Sequence, residues 1–197
     1  MAKYEPHDKF YRKARAMGLP SRAAFKIEEI IARNRLVGSG ARIVDLGCAP
    51  GGWLAILVAA AGASGRVVGV DLAQVKNPPA GAIAIVGDIL DPAVAARVQN
   101  ELGGRADLVT SDLAPKLTGI AARDEARSRE LIECALGFAT TMLKPGAAMV
   151  AKLFMGAEFK GIVDSFKRHF KSVEVTRTKA SRPGSSELYI VARDFRG

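Results

Sequence analysis

Five short runs rich in β-branched residues alternate with helix-length segments through the middle of this 197-residue chain, and that alternation limits the fold more than any other feature. The runs are Ala41–Leu46, Arg66–Asp71, Ala82–Val86, Asp107–Asp112 and Ala147–Leu153. Between them, Trp53–Ala61, Pro92–Leu102 and Ala126–Leu143 have helical spacing or composition. Strands that are apolar nearly throughout are buried on both faces, and strands joined through helices run parallel. The pattern therefore predicts an α/β, doubly wound, mostly parallel sheet with helices on both faces. A helix over Phe159–Phe170 and strands at Ser172–Thr178 and Glu187–Ala192 bring the strand number to seven. Leu143-Lys144-Pro145-Gly146 reads as a helix stop followed by a turn, and Ser21 can cap a helix running through Lys26 to about Asn34. No repeat or long linker divides the chain, so residues 1–197 are expected to form one domain, with a basic N-terminal extension over about residues 1–35.

Composition narrows the class further. At 49% hydrophobic residues, without a sustained heptad or Gly-X-Y period, the chain is neither disordered, coiled coil nor collagen. No run of 18 apolar residues is present, so no helical membrane span is expected. The start, MAKYEPHDKF, lacks the apolar core of a signal peptide, and a cytoplasmic location is expected. Cys48, Cys134, His7 and His169 form no CxxC pair or ligand cluster, so neither a disulfide framework nor a metal site is expected. The formal charge of +9 is carried by the flanks: residues 1–35 hold nine basic and four acidic side chains, and residues 160–197 hold the same numbers. Such flanks favour a polyanionic partner, either nucleic acid or an acidic membrane surface.

The residues able to do chemistry lie at the carboxyl ends of the strands, where an open α/β sheet binds ligands. Asp45-Leu46-Gly47-Cys48-Ala49-Pro50-Gly51-Gly52-Trp53 joins the first strand to its helix. Its glycines either let backbone approach a ligand or serve a tight turn alone. The segment lacks the G-x-G-x-x-G spacing of dinucleotide sites, and Pro50 has no N–H to offer a phosphate. A less anionic nucleoside is expected there instead. Asp71, 24 residues after Gly47, ends the second strand, where a carboxylate can accept from ribose hydroxyls; Asp88, after the third, could meet an adenine amino group. Each could equally be a cap or turn residue; the series Asp45, Asp71, Asp88 favours a ligand. Asp112 closes the fourth strand and Lys152 the fifth. A lysine is costly to bury unpaired, which makes Asp112 its expected partner, as a structural ion pair or as a functional one. Near the N-terminus, Asp8–Arg15 interleaves Phe10 and Tyr11 with basic residues. These can neutralise phosphates and stack on bases, or form an amphipathic segment whose aromatics dock on the core.

Several of these segments together resemble one family. Ser21-Arg22-Ala23-Ala24-Phe25-Lys26, Asp45–Trp53, Ser111–Lys116 with Thr118-Gly119, Val150–Phe154 and Ser181–Ile190 resemble the FtsJ/RrmJ group of ribosomal RNA 2′-O-ribose methyltransferases, over about Asp8 to Ala192. The most specific sign is an ordered Lys-Asp-Lys-Glu tetrad falling on Lys26, Asp112, Lys152 and Glu187, at intervals of 86, 40 and 35 residues. The resemblance implies a class I methyltransferase sheet, Rossmann-like, with its last strand antiparallel and S-adenosylmethionine as methyl donor. It places Gly47, Ala49, Pro50, Gly51, Gly52, Trp53, Asp71, Leu72, Asp88, Ile89 and Asp112 in the donor site, and the tetrad at the reaction centre. Two positions depart from the family pattern. Cys48 stands where Ala is frequent, and Ala24 where an aromatic is common, which weakens an expected substrate contact.

The implied reaction is methylation of a ribose 2′-hydroxyl in RNA, expected on a uridine of the large ribosomal subunit. Transfer RNA, a messenger cap, or a non-catalytic role in ribosome assembly are the alternatives. A hydroxyl is a weak nucleophile that must be aligned with the methyl group and lose a proton. Lys152 is expected to orient it and act as base, or to serve as a charged steering group. An ordinary lysine, with a pKa of about 10.4, is protonated at neutral pH; burial and Lys26 favour the neutral amine, while Asp112 and Glu187 favour the ammonium. Arg12, Lys13, Arg22 and Arg182 are the candidate RNA backbone contacts. A monomer without membrane association is expected.

Overall fold

Alternation of buried strands and amphipathic helices produces one seven-stranded sheet. The computed structural model describes residues 8–115, 118–182 and 184–197; Lys116 of the fourth-strand motif, Pro183 and the first seven residues lie outside them. The strands are β1 (Arg42–Leu46), β2 (Arg66–Asp71), β3 (Ala82–Val86), β4 (Ala106–Ser111), β5 (Leu143–Phe154), β6 (Phe170–Thr176) and β7 (Glu187–Phe195). The helices are α1 (Lys9–Ala16), α2 (Ala24–Asn34), α3 (Gly52–Ala61), α4 (Pro92–Leu102), α5 (Ala121–Met142) and α6 (Phe159–His169). The sheet order is β3-β2-β1-β4-β5-β7-β6. Strands β1 to β5 pair in parallel, and β7 runs antiparallel to both β5 and β6. The order reverses between β1 and β4, and that switch point opens a crevice at the carboxyl edge.

Each face of the sheet carries its own apolar layer. One layer joins Val44, Leu46, Val109, Met149 and Ala151 to α4, α5 and α6 through Val98, Leu136 and Phe166. The other joins Ile43, Leu108 and Val150 to α2 and α3 through Ile27, Ile30, Leu54 and Leu57. Odd and even residues of β1 thus serve opposite layers, as the two-residue period of a strand requires.

Boundaries moved where local sequence competed with packing. Helix α5 begins five residues before the expected Ala126, because Asp124 in its first turn accepts from Thr118 N–H at 2.8 Å and Gly119 N–H at 3.0 Å, folding the preceding loop back on the helix. The expected turn at Leu143–Gly146 lies inside β5, where the register shifts between Ala106 and Leu108 and Gly146 takes φ +79°. Ser21 does not cap the helix directly. Its hydroxyl accepts from Ala23 N–H at 3.1 Å in the turn ahead of α2. Phe170 begins β6 rather than ending α6, drawn into an aromatic cluster with Phe166 and Phe195, ring centroids 6.2 Å and 5.4 Å away. Asp112 stands one residue beyond β4, its N–H donating to Leu46 O at 2.9 Å.

One glycine fixes how closely α3 lies on the sheet. A Cβ on Gly69 in β2 would sit 2.7 Å from Cys48 Sγ and 2.8 Å from Cys48 Cβ. The small thiol and the missing side chain occupy one space, so Cys48 fits where an Ala is frequent. Its thiol is pushed up to about 12 by burial, with Asp45 and Asp71 adding to the shift, and is therefore chemically quiet. Gly69→Ala should cost about 1–3 kcal/mol through overpacking, measured as a lower urea midpoint at unchanged slope.

Candidate active site

Two ion pairs meet beside the switch point. Lys26, in the first turn of α2, lies 2.7 Å from Glu187 Oε1 and donates to Oε2 at 2.9 Å. Lys152 Nζ lies 2.9 Å from Asp112 Oδ1 and donates to the Asp112 carbonyl, also at 2.9 Å. Side-chain exposures of 14% and 13% for the first pair, and 9% and 22% for the second, place all four charges largely out of water. They balance in sign, which is what permits such burial. Antiparallel pairing of β5 with β7 sets Lys152 opposite Tyr189 and Phe154 opposite Glu187. Glu187 and Tyr189 consequently share the face of Lys152.

Each carboxylate responds to its surroundings. Burial raises the Asp112 carboxyl above its ordinary value, although Lys152 and then Lys26 oppose this. Burial pushes Glu187 the same way, yet the hydrogen bond and charge of Lys26, with the Tyr189 hydroxyl, hold it below the usual carboxylate range. Tyr189 O–H donates to Glu187 Oε1 at 3.0 Å, and Ser181 Oγ does so at 3.2 Å. Tyr189 is fully buried. Ser181 and Tyr189 are functional neighbours that sequence reasoning missed. For Tyr189 a signal existed, since it follows Glu187 by two in a strand and must share its face.

The loop after β1 lies alongside. Gly47 and Cys48 N–H donate to Val70 O, Ala49 N–H donates to Asp71 Oδ2 at 2.9 Å, and Gly51 N–H donates to Cys48 O at 2.7 Å. Pro50, joined to Ala49 by a cis peptide, has no N–H. All amides from Gly47 to Gly51 are thus committed within the protein, leaving no cradle for a phosphate. Gly47, at φ +79°, approaches the segment after β4 so closely that a Cβ would lie 3.1 Å from Leu113 N. Asp71 also accepts from Ala73 N–H at 2.8 Å, so each of its oxygens holds one backbone bond and keeps a second acceptor direction. Asp88 is exposed and forms a turn, Oδ1 accepting from Leu90 N–H at 2.9 Å. Leu72 is 74% exposed at the same rim, and Ile89 is half-buried. Gly52 and Trp53 begin α3, and the Trp53 indole donates to Ala23 O at 2.9 Å, with its ring 6.0 Å from Tyr189. The indole therefore ties this loop to the helix carrying Lys26 and to the residue holding Glu187.

Two of the sequence expectations changed on folding, those for Asp45 and Arg22, and Phe10 takes the second of the two roles left open for it. Asp45 does not join Asp71 and Asp88 at the rim; it is fully buried, with Oδ1 accepting from Thr110 Oγ1 at 2.7 Å and Oδ2 without a partner. Arg22 turns inward to pair with Asp8 and donate to the Ala180 carbonyl, a join between the two basic flanks rather than an open surface cation. Phe10 packs 5.9 Å from Phe25 and joins a small core with Ala14 and Ala180, so it holds α1 down. Arg12, Lys13 and Arg182 are exposed; Lys13 is 3.8 Å from Glu28 and lies over the Phe25 ring. Ala24 is fully buried next to Gly52 and presents nothing to a substrate. Among the described residues no helix is long and apolar enough to cross a membrane.

A family model described as FtsJ-like methyltransferase matches residues 19–195. The ribosomal RNA large subunit methyltransferase E of Anaeromyxobacter dehalogenans is 47% identical over 200 residues, covering 100% of this chain and 74% of that protein. The protein of that name from Methanoculleus marisnigri is 47% identical over 190 residues, covering 96% and 92%. Among solved structures, a Plasmodium falciparum protein described as a ribosomal RNA methyltransferase shares the fold, with a TM-score of 0.78 at 23% identity over 90% of this chain and 98% of its own. Fibrillarin of Aeropyrum pernix, bound to S-adenosyl-L-methionine, has a TM-score of 0.56 at 18% identity, over 80% of this chain and 67% of its own.

Proposed function

The chain belongs to the FtsJ-like methyltransferase family, and from that premise we propose that it methylates the 2′-hydroxyl of a ribose in large-subunit ribosomal RNA, at a uridine, using S-adenosylmethionine. The observation that carries this is the convergence of Lys26–Glu187 and Lys152–Asp112 beside a loop suited to a non-phosphorylated nucleoside. The residues present fit that donor. Asp71 has acceptor directions left for two ribose hydroxyls, Asp88 has an oxygen for an exocyclic amino group, and the committed amides of Gly47–Gly51 would offer a pyrophosphate nothing. Carboxylates at Asp112 and Asp71 suit a positively charged ligand. When bound, the donor supplies a methyl group activated by its sulfonium sulfur.

This chain's part is to hold and deprotonate the acceptor. Asp112 fixes Lys152 from two sides, through its carbonyl and its carboxylate. An amine so held gives one N–H to the Asp112 carbonyl, has the carboxylate Oδ1 2.9 Å away as its charge partner, and turns its lone pair to the ribose hydroxyl, taking the proton as the oxygen attacks. Asp112 and Glu187 then stabilise the ammonium that forms. Lys26, pinned by Glu187, contributes a cation beside the attacked position, and alignment of hydroxyl and methyl can supply ~7–11 kcal/mol of barrier lowering. The chain acts as a monomeric single domain in the cytoplasm, and its basic flanks bind the RNA backbone.

Methyl transfer from labelled donor to undermethylated large ribosomal subunits, followed by mapping of the modified nucleotide, tests the proposal; no label in the RNA rejects it, and label in transfer RNA or a cap redirects it. Salt separates the two ligands. RNA affinity should fall by about 10³-fold or more between 50 and 200 mM salt if six or more phosphates are neutralised, while donor affinity changes little. Calorimetric titrations showing equal salt sensitivity for both would contradict binding of RNA by the flanks.

A further inference from the structure

A cavity lined in part by Lys152 opens beside the ion pairs. It has a volume of about 270 Å³ and lies between the carboxyl end of β5 and the first turns of α5 and α6. That volume is room for a small planar ring and not for a folded segment. Its floor is apolar, built by Leu113, Ile132, Phe154, Phe159 and Ile162. Its rim carries three carboxylates, Asp124, Glu125 and Glu158, against Arg129, which is itself paired with Glu133 and Glu158. The missing side chain of Gly156 lets the Glu125 carboxylate lie against its backbone, where a Cβ would come within 2.8 Å of Oε1.

We propose that this cavity receives the base of the nucleotide whose ribose is methylated, and that Glu125 accepts a hydrogen bond from an N–H of that base. The inference rests on the function proposed above and specifies its substrate site. The base is attached to C1′, the carbon next to C2′, so a 2′-oxygen held at Lys152 places the base within a few ångströms of that side chain. Lys152 itself lines the cavity, and the Phe154 ring lies 5.9 Å from its ammonium. Attack is in line, so the path to the 2′-oxygen is left to the incoming methyl group and the base lies off that line. A rim rich in carboxylates repels phosphate, and suits an uncharged ring bearing N–H donors whose faces rest on aromatic and aliphatic side chains. Extracting a base from its stack costs stacking free energy, which an apolar floor offsets by burial.

The test uses the full chain with large ribosomal subunits from cells lacking this activity. Ser128→Phe, on α5, fills the cavity, and Glu125→Ala removes the acceptor; neither residue touches the donor loop. Both variants should retain donor affinity within twofold by calorimetry and lose at least tenfold in kcat/KM for subunits. Subunits carrying 4-thiouridine should crosslink from the target base to residues 124–132 or 153–159, mapped by mass spectrometry. If Ser128→Phe loses donor binding through misfolding, Glu125→Ala and the crosslink decide. Wild-type kcat/KM in folded variants, or crosslinks only outside those segments, overturns the cavity assignment while leaving the proposed reaction standing. A wild-type protein that methylates no RNA overturns both.

Discussion

Lys152→Ala should lower kcat for RNA methylation by about 10²–10⁴-fold, the range expected for loss of a positioned acid–base group, with donor affinity unchanged within twofold. Lys152 has 9% side-chain exposure and its hydrogen bond and ion pair both go to Asp112, so its removal leaves the loop from Gly47 to Trp53 and the bonds of Asp71 in place. Lys152→Arg should not rescue. A guanidinium is planar, always charged and without a basic lone pair under working conditions. A general base must be unprotonated to take the hydroxyl proton, so turnover should rise with pH across the neutral range. Single-turnover rates between pH 6 and 9 check this; a flat profile would show that Lys152 steers the hydroxyl without taking its proton. Near wild-type turnover in Lys152→Ala would remove it from the mechanism.

Asp45→Asn should abolish a pH dependence of folding worth on the order of 3–4 kcal/mol between pH 5 and 8. Burial raises the Asp45 carboxyl from its ordinary 3.8 to about 8; the Thr110 hydrogen bond opposes this, and Asp112 and Asp71 add to it. Between those two values the native protein holds a proton that the unfolded chain has released. This group's contribution to stability is therefore complete below about pH 4 and is lost as pH rises to about 8, at up to ~1.4 kcal/mol per pH unit. Asparagine keeps the acceptor for Thr110 and cannot ionise. Its amide places a donor where Oδ2 has no partner, a cost that does not vary with pH. Urea titrations at pH 5, 6.5 and 8 should show wild-type stability falling relative to the variant; parallel curves would mean that Asp45 is ionised at no cost.

Much of the fold was legible because it rests on local periodicity. The seven strands and five of the six helices follow from apolar runs and their spacing. Helix α1 was harder to read, since Phe10 and Ala14 pack in a small cluster with Leu19, Phe25 and Ala180, the last 166 residues after Ala14. The early start of α5 depends on Asp124 capturing a loop rather than on an apolar stripe. At the site, Lys26, Asp112, Lys152 and Glu187 were recognisable by order and local motif, and Pro50 already argued against a phosphate cradle. Which lysine pairs with Glu187, and that Ser181 and Tyr189 steady it, required strand β7 to be placed beside β5.

The opposite outcomes for three acidic strand ends state the division most sharply. By itself the sequence determined that Asp45, Asp71 and Asp88 lie at one edge of a parallel sheet, because strand period and alternation with helices are properties of neighbouring residues. Only the tertiary structure decided that Asp71 and Asp88 stay at least partly exposed while Asp45 is sealed under Thr110. It also decided that the two basic flanks lie side by side, with Lys179 N–H donating to Glu29 at 2.8 Å and Arg22 bonded to Ala180. Burial and pairing across more than a hundred residues depend on which surfaces pack together, and no local pattern encodes that.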